Sequence, residues 1–520
     1  MEFNLADLFE SVADAIPDRE ALVCDAHRLT YAELDARSNR LAHHLVGAGI
    51  GRGDHVGLHL YNGLPYVEGM LACLKIRAVP INVNYRYVES ELGYLFQEAD
   101  LSGLIHQREF GPRIASVKTP MMRHFLYVED GSGMKTPSDV EYEDALENAA
   151  DARDFGPRSS DDLFILFTGG TTGLPKGVMW RQEDMFFTAL GGGNPTMEPV
   201  SAPEQQAKIA TERYAMTQFP VPPLIHGAAQ LAVFIGLNWG DKVVLIPKFD
   251  ATAVWQAVQK EKVNTMTIVG DAMARPMAEE LAKGGYDASS VMYVGSAGAV
   301  LSDAVKDQLR ASLPNAIIAE SFGASETGFQ GMEAGPRRFM MNDKTSVLDD
   351  SNNPVKPGSG ATGRLALRGR IPLGYYKDPE KTAATFTEID GERWVMPGDV
   401  ATVEEDGSIT VFGRGAICIN SGGEKIFPEE VEAAIKSHPA VYDAVVVGVP
   451  DERWGERVAA VVQPRDTRTI TLDDLANHCR TLIAGYKVPR ELHVVDQVMR
   501  QPSGKPDYPW AKRLATSAPV

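Results

Sequence analysis

The stretch Leu166-Phe167-Thr168-Gly169-Gly170-Thr171-Thr172-Gly173-Leu174-Pro175-Lys176-Gly177-Val178 constrains this 520-residue chain more than any other. An apolar run, residues 163–167, precedes it and reads as a buried strand. Residues 169–173 then suit neither helix nor strand. Glycines without Cβ let backbone amides approach an anion closely, and hydroxyls and a lysine add donors. The pattern is that of a loop that cradles phosphate. It is not the Walker order, because Thr-Gly-Leu-Pro-Lys-Gly stands where Gly-Lys-Ser/Thr would be needed.

The length exceeds one ordinary domain and allows large buried cores. A net charge of −19 argues against a nucleic-acid partner, which would require a basic face. An acidic chain that handles phosphates must concentrate its positive charge locally. The four cysteines, Cys24, Cys73, Cys418 and Cys479, form no CxxC and suggest a reducing compartment without structural zinc. No apolar run is long enough for a membrane span, and residues 1–5 lack the features of a signal peptide. Cytoplasm is the expected location.

Leu5, Leu8, Phe9 and Val12 recur at helical spacing, and Thr30-Tyr31-Ala32-Glu33 is a capping box opening a second helix. Strands at 55–60, 101–105 and 125–128, with a helix at 64–76, point to an α/β architecture. Residues 130–158 read as acidic surface loop and 191–210 as irregular chain. Further strands at 242–246 and 265–269 flank a helix at 251–259, and two more follow at 291–294 and 316–319. Two of them run into small-residue turns, Gly295-Ser296-Ala297-Gly298-Ala299 and Glu320-Ser321-Phe322-Gly323-Ala324-Ser325-Glu326. Ligands gather outside the carboxyl ends of strands in open α/β sheets, so these turns and the Gly-rich loop fit one shared site. Beyond Pro354 shorter strands suggest a small β subdomain, and from Gly415 a compact α+β segment begins. The expected division is a large domain, 1–414, and a small mobile domain, 415–520.

Taken together these motifs resemble the adenylate-forming enzymes: acyl-CoA synthetases, luciferases and peptide-synthetase adenylation domains. The resemblance covers nearly the whole chain. It implies that Thr168, Gly169, Gly170, Thr171, Thr172, Gly173 and Lys176 hold the phosphates of ATP. It further implies that Ala297, Gly298, Ala299, Glu320, Ser321, Phe322, Gly323 and Ser325 line the nucleotide site, with Phe322 against adenine. Glu326 would hold magnesium, a hard cation suited to carboxylate oxygen. Asp399 would accept both ribose hydroxyls and Arg414 would contact ribose and phosphate. Lys505, in Pro502-Ser503-Gly504-Lys505, matches the lysine that reaches the site during adenylation, alongside Thr168, Lys176 and Glu326 as catalytic groups. His226, Gly227, Ala297 and Gly323 would line the acid pocket, and Gly422, Gly423 and Lys425 would meet coenzyme A.

Two departures stand out. The charged hinge residue usual in the family is replaced by Ala416, and Pro506-Asp507-Tyr508 follows Lys505. Members specific for acetate carry tryptophan after the adenine-side aromatic. Here Gly323 holds that place, which implies a deeper acid pocket among Ala228, Ala229, Leu231, Ala232 and Ala297. Gly270-Asp271-Ala272-Met273-Ala274-Arg275-Pro276 and Gly504-Lys505-Pro506-Asp507-Tyr508 look closest to bacterial fatty-acid and sterol-side-chain acyl-CoA synthetases. The expected reaction joins a medium- or long-chain or sterol-derived carboxylate to ATP, releasing pyrophosphate, and passes the acyl group to coenzyme A. The alternatives are an acyl-AMP ligase serving a separate carrier protein and a non-catalytic nucleotide or acyl-AMP sensor. A homodimer is left open.

Overall fold

The structure, a computed structural model, describes residues 1–138, 140–169, 175–194, 198–335, 338–421, 424–451, 454–465, 469–501 and 504–517. Arg414, Ala416 and Lys425 are described by their backbone alone.

Two sheets build the large N-terminal domain. In the first, Leu163–Gly169 lies beside Val79–Asn82, followed by His55–His59, Leu101–Gln107 and His124–Val128, all parallel. Its other edge is made antiparallel by Pro175–Arg181 and the short strand Gly374–Tyr375. Val79–Asn82, His55–His59 and Leu101–Gln107 are buried almost end to end because helices cover both faces, with His55, His59 and His106 interrupting the apolar runs. Leu64–Lys75 is one cover, packed on Val79–Asn82 and His55–His59. Leu5–Ala15, burying Leu5, Leu8, Phe9 and Val12, and Tyr31–Gly47 pack on that helix in turn. Thr30 Oγ1 accepts from Glu33 N at 3.2 Å and Glu33 Oε2 accepts from Thr30 N at 2.8 Å, while Leu34, Leu41 and Leu45 face the core.

The second sheet has a parallel core of Glu20–Cys24, Lys242–Leu245, Thr217–Pro220, Thr265–Ile268, Tyr293–Ser296 and Ile317–Ala324. It then turns antiparallel through Gly328–Gly335, Arg338–Met341, Ile409–Arg414, Asp399–Val403 and Thr362–Arg368. The short strands beyond Pro354 thus join the same hydrogen-bonded path, around a small core of Phe339, Val347, Leu365, Ala401 and Val411. Residues 320–324 are not a turn, as the sequence suggested, but the far half of Ile317–Ala324. The strand leaves its parallel neighbour at Glu320 and pairs antiparallel from Ser321 onward, so backbone that would form a loop keeps its ladder.

The small C-terminal domain is built on a third sheet: Glu424–Ile426, Ile419–Ser421, Gly455–Pro464 and Val441–Asp451, with Glu491–Val494 parallel to Gly455–Pro464. A 3-10 turn, Gly415–Ile417, links it to Ile409–Arg414 of the large domain. Two segments expected to be irregular contain helices, Tyr142–Glu147 and Gln205–Glu212. Tyr142 is fully buried and its hydroxyl donates to Glu68, a partner that local sequence cannot reveal.

Candidate active site

The Gly-rich segment bridges two paired strands. Thr168 lies opposite Lys176 and Gly169 opposite Pro175, so both ends of the loop are registered. Gly170, Thr171, Thr172 and Gly173 lie outside the described residues, as do Gly422 and Gly423.

The entry strand is held by Asn82. Its amide oxygen accepts from Phe167 N at 2.8 Å, and its amide nitrogen donates to Phe167 O and Ile225 O, each at 2.7 Å. Asn62 does similar work one step earlier, accepting from Leu224 N at 2.7 Å and donating to Pro222 O at 3.2 Å. These amides tie the two sheets together and place His226 beside the strand that carries Thr168. His226 is the N-cap of the helix Gly227–Asn238 and is half-buried. A Cβ at Gly227 would lie 3.1 Å from Leu166 Cδ1, so a side chain there would crowd the helix against the strand.

Ile268, Ser296 and Glu320 are register partners at the carboxyl edge of the second sheet. Ser296 Oγ accepts from Gly270 N at 3.0 Å, and its carbonyl accepts from Ser321 Oγ at 3.3 Å. Ala297 N donates to Ile268 O at 3.2 Å, and Gly298 has φ +82°, a turn that glycine adopts freely. The 297–299 and 321–323 segments therefore share one edge. Phe322 keeps one side packed on Phe339, ring centroids 5.4 Å apart. Burial raises the Glu320 carboxyl to about 7, against the pull of Lys306 at 3.4 Å.

Glu326, 9% exposed, accepts at Oε1 from Tyr375 Oη at 2.8 Å. The same Tyr375 ring lies 5.7 Å from Lys176 Nζ. Ser325 O accepts from Trp180 Nε1 at 2.9 Å, tying this segment to the strand that follows the Gly-rich loop. Sequence reasoning named neither Tyr375 nor Asn82. The buried Asp399 pairs across strands with Arg414, which brings both sequence-identified positions to one place. Lys505 belongs to the small domain, yet its neighbour Gly504 sits against Val269 and Ala272, beside the 297–299 turn.

A Cβ at Gly323 would lie 2.2 Å from Gly328 O. Its missing side chain makes room for backbone of the adjacent strand.

Three comparisons bear on this arrangement. The AMP-binding enzyme family matches residues 9–376, and its C-terminal domain matches residues 430–505. A medium/long-chain-fatty-acid–CoA/3-oxocholest-4-en-26-oate–CoA ligase of Mycolicibacterium smegmatis is 49% identical over 100% of this chain and 98% of its own. A 3-oxocholest-4-en-26-oate–CoA ligase of Rhodococcus rhodochrous is 49% identical over 98% of this chain and 96% of its own. The solved structure of an anthranilate CoA ligase in complex with anthranoyl-AMP has the same fold, with TM-score 0.85 at 21% identity over 99% of this chain and 98% of its own. With both of its domains matched in chain order, this chain belongs to the AMP-binding enzyme family.

Proposed function

We propose that the chain is an ATP-dependent, AMP-forming acyl-CoA synthetase for medium- or long-chain fatty acids or a sterol-derived acid. The observation that carries the reading is the convergence of Thr168, Lys176 and Glu326, with Tyr375 touching both Lys176 and Glu326. Relatives at 49% identity over the full length are named as ligases of such acids with coenzyme A.

In this reading the substrate carboxylate attacks the α-phosphorus of ATP in line, and pyrophosphate leaves. Lys176 and the amides of the Gly-rich loop bind the phosphates, and Lys505 adds a positive charge at the reacting centre. Such donors are worth most where water is excluded. Asp399 accepts from the ribose hydroxyls, and Phe322 offers a face to adenine. Glu326 is the residue to hold magnesium: Tyr375 fixes Oε1, and among the described residues Oε2 has no hydrogen-bond donor. The ion would neutralise charge on the phosphate oxygens. In the second step the thiol of coenzyme A attacks the acyl carbonyl and AMP leaves. Gly422, Gly423 and Lys425 are assigned to that step by motif alone.

We further infer a domain division at 414/415, with the 3-10 turn Gly415–Ile417 as the pivot that lets the small domain turn between the two steps. Among the described residues no helix is long and apolar enough to cross a membrane. An acidic chain with four unbridged cysteines suits the cytoplasm.

The test is to follow pyrophosphate release and thioester formation with dodecanoate, 3-oxocholest-4-en-26-oate and acetate. Thioester from either large acid, and little from acetate, is expected. Lys505→Ala should slow adenylate formation by roughly 10²–10³, the scale of one lost transition-state donor. Thioester formation from supplied dodecanoyl-AMP should survive. Pyrophosphate release without any thioester product would overturn the ligation reading.

A further inference from the structure

Two adjacent residues of the small domain face different tasks. The antiparallel pairing of Val441–Asp451 with Gly455–Pro464 shifts register between Val441 and Asp443, so Tyr442 sits at a bulge. Bulges re-aim side chains. Here the bulge points Tyr442 at the large domain. Its ring lies 5.4 Å from the Arg275 guanidinium carbon on the helix Gly270–Ala282, and 5.8 Å from that of Arg465 on its own domain. Arg465 in turn pairs with Glu279 of the same large-domain helix at 3.1 Å. Arg275 is 2% exposed, its Asp271 contact is 3.4 Å long, and its Nη1 has no hydrogen-bond partner among the described residues. The aromatic face therefore adds to a long ion pair in compensating a buried cation.

Asp443 does something else. It takes a bidentate pair from Arg500, Nε to Oδ2 at 2.7 Å and Nη2 to Oδ1 at 2.6 Å. Arg500 Nη1 then donates to Gly504 O at 2.8 Å, and Gln501 N donates to Lys505 O at 2.8 Å. Gly504 packs on Val269 and Ala272, just before Arg275 on the same stretch of large-domain chain. One dipeptide thus reaches both the docking contact and the turn that presents Lys505.

We propose that Tyr442 and Asp443 are positioning residues for adenylation, Tyr442 docking the small domain through Arg275 and Asp443 holding the Lys505 turn through Arg500. The inference rests on Lys505 acting in adenylation. Neither residue touches a reacting atom. Both contacts would have to part, or move as a unit off the large domain, before the thioester step. They therefore favour one half-reaction and are dispensable in the other.

The experiment separates the half-reactions. Pyrophosphate release is followed with dodecanoate and MgATP, and thioester formation with supplied dodecanoyl-AMP and coenzyme A. Tyr442→Leu should slow the first by roughly tenfold, the scale of a desolvated cation–π contact, and leave the second within about twofold. Tyr442→Phe keeps the ring and should restore the rate. Arg275→Gln removes the same contact from the other domain and should add little to Tyr442→Leu in the double variant. Arg500→Lys, which keeps the charge and breaks the fork, should act as Asp443→Asn does. Equal loss in both half-reactions, or unchanged adenylation, would overturn the proposal. If Lys505→Ala slows adenylation while these variants do not, only the positioning roles fail. If Lys505→Ala itself leaves adenylation unchanged, the lysine assignment fails and the inference falls with it.

Discussion

Tyr375 donates its hydroxyl to Glu326 Oε1 at 2.8 Å while its ring lies 5.7 Å from Lys176 Nζ. One side chain thereby fixes the spacing between the candidate metal carboxylate and the candidate phosphate lysine. The ring is itself located by backbone: Tyr375 pairs with Val178, and its N–H donates to Thr382 Oγ1 at 2.9 Å. Tyr375→Phe should keep the ring and lose the hydroxyl. A hydrogen bond to a charged group is worth about 1.5–3 kcal/mol, so the magnesium concentration needed for half-maximal pyrophosphate release should rise about tenfold or more. Calorimetric affinity for MgATP should fall in step, and thioester formation from supplied acyl-AMP should not change. An unaltered magnesium dependence would remove Tyr375 from the site.

Asn82 makes a different prediction, because its bonds are structural. It satisfies Phe167 N, Phe167 O and Ile225 O inside the core. Asn82→Ala would strand all three, and a buried unsatisfied polar group costs about 1–3 kcal/mol. Denaturant unfolding should show a loss of several kcal/mol, with adenylation falling as the Thr168 strand and the His226 segment separate. Asn82→Asp keeps the acceptor for Phe167 N and loses both donations, so it should also destabilise. Stability within about 0.5 kcal/mol of the parent, the scale of an ordinary surface change, would show that Asn82 does not join the sheets.

These two residues mark where the sequence stopped being legible. The capping box at Thr30 and Glu33, and the helix that carries Leu5, Leu8, Phe9 and Val12, are local patterns, and they could be read because the signal lies within a few residues. The motif residues Thr168, Lys176, Glu326, Asp399 and Arg414 could be read because their order along the chain is itself the signal. Tyr375 bonds across 49 residues and Asn82 across 85 and 143, and no periodicity encodes such a pairing. The same holds for Ile317–Ala324. Its second half looks like a turn by composition, and it stays extended because a distant strand, Gly328–Gly335, completes its ladder. Lys505 was legible as a residue, but the Arg500–Asp443 fork behind it was not.

Glu320 predicts a pH dependence of stability. Burial holds its carboxyl at about 7, above the ordinary 4.5, with Glu333 nearby adding to the effect and Lys306 opposing it. Between these two values the folded state binds more protons than the unfolded state. Stability therefore falls as pH rises through that window, at up to about 1.4 kcal/mol per unit. Glu320→Gln mimics the neutral form and should flatten the decline. Thermal unfolding of both proteins at several pH values from 5 to 7.5 would check this. Parallel curves would mean that Glu320 is ionised throughout.

The last prediction separates acid selectivity from Gly323. Gly323 pairs with Phe329 just after a register shift, and a Cβ on it would meet Gly328 O at 2.2 Å and Gly328 C at 3.1 Å. Backbone cannot yield there as a flexible side chain would. Gly323→Ala should therefore cost about 1–3 kcal/mol, the usual scale of overpacking, and slow adenylation of every acid alike. The ratio of kcat/KM for dodecanoate over acetate should hold. Selectivity should instead lie on the helix Gly227–Asn238. Ala229, Gln230, Ala232 and Val233 are buried there, whereas Ala228, Leu231 and Ile235 stay half-exposed at helical spacing behind His226. An apolar wall of this kind gains about 0.8 kcal/mol per buried methylene, so each acid carbon removed from contact should cost about fourfold in affinity. Ala228→Trp should fill that face, lower the dodecanoate-to-acetate ratio by an order of magnitude or more, and leave ATP affinity unchanged. A ratio that moves with Gly323→Ala and not with Ala228→Trp would return the acid pocket to Gly323.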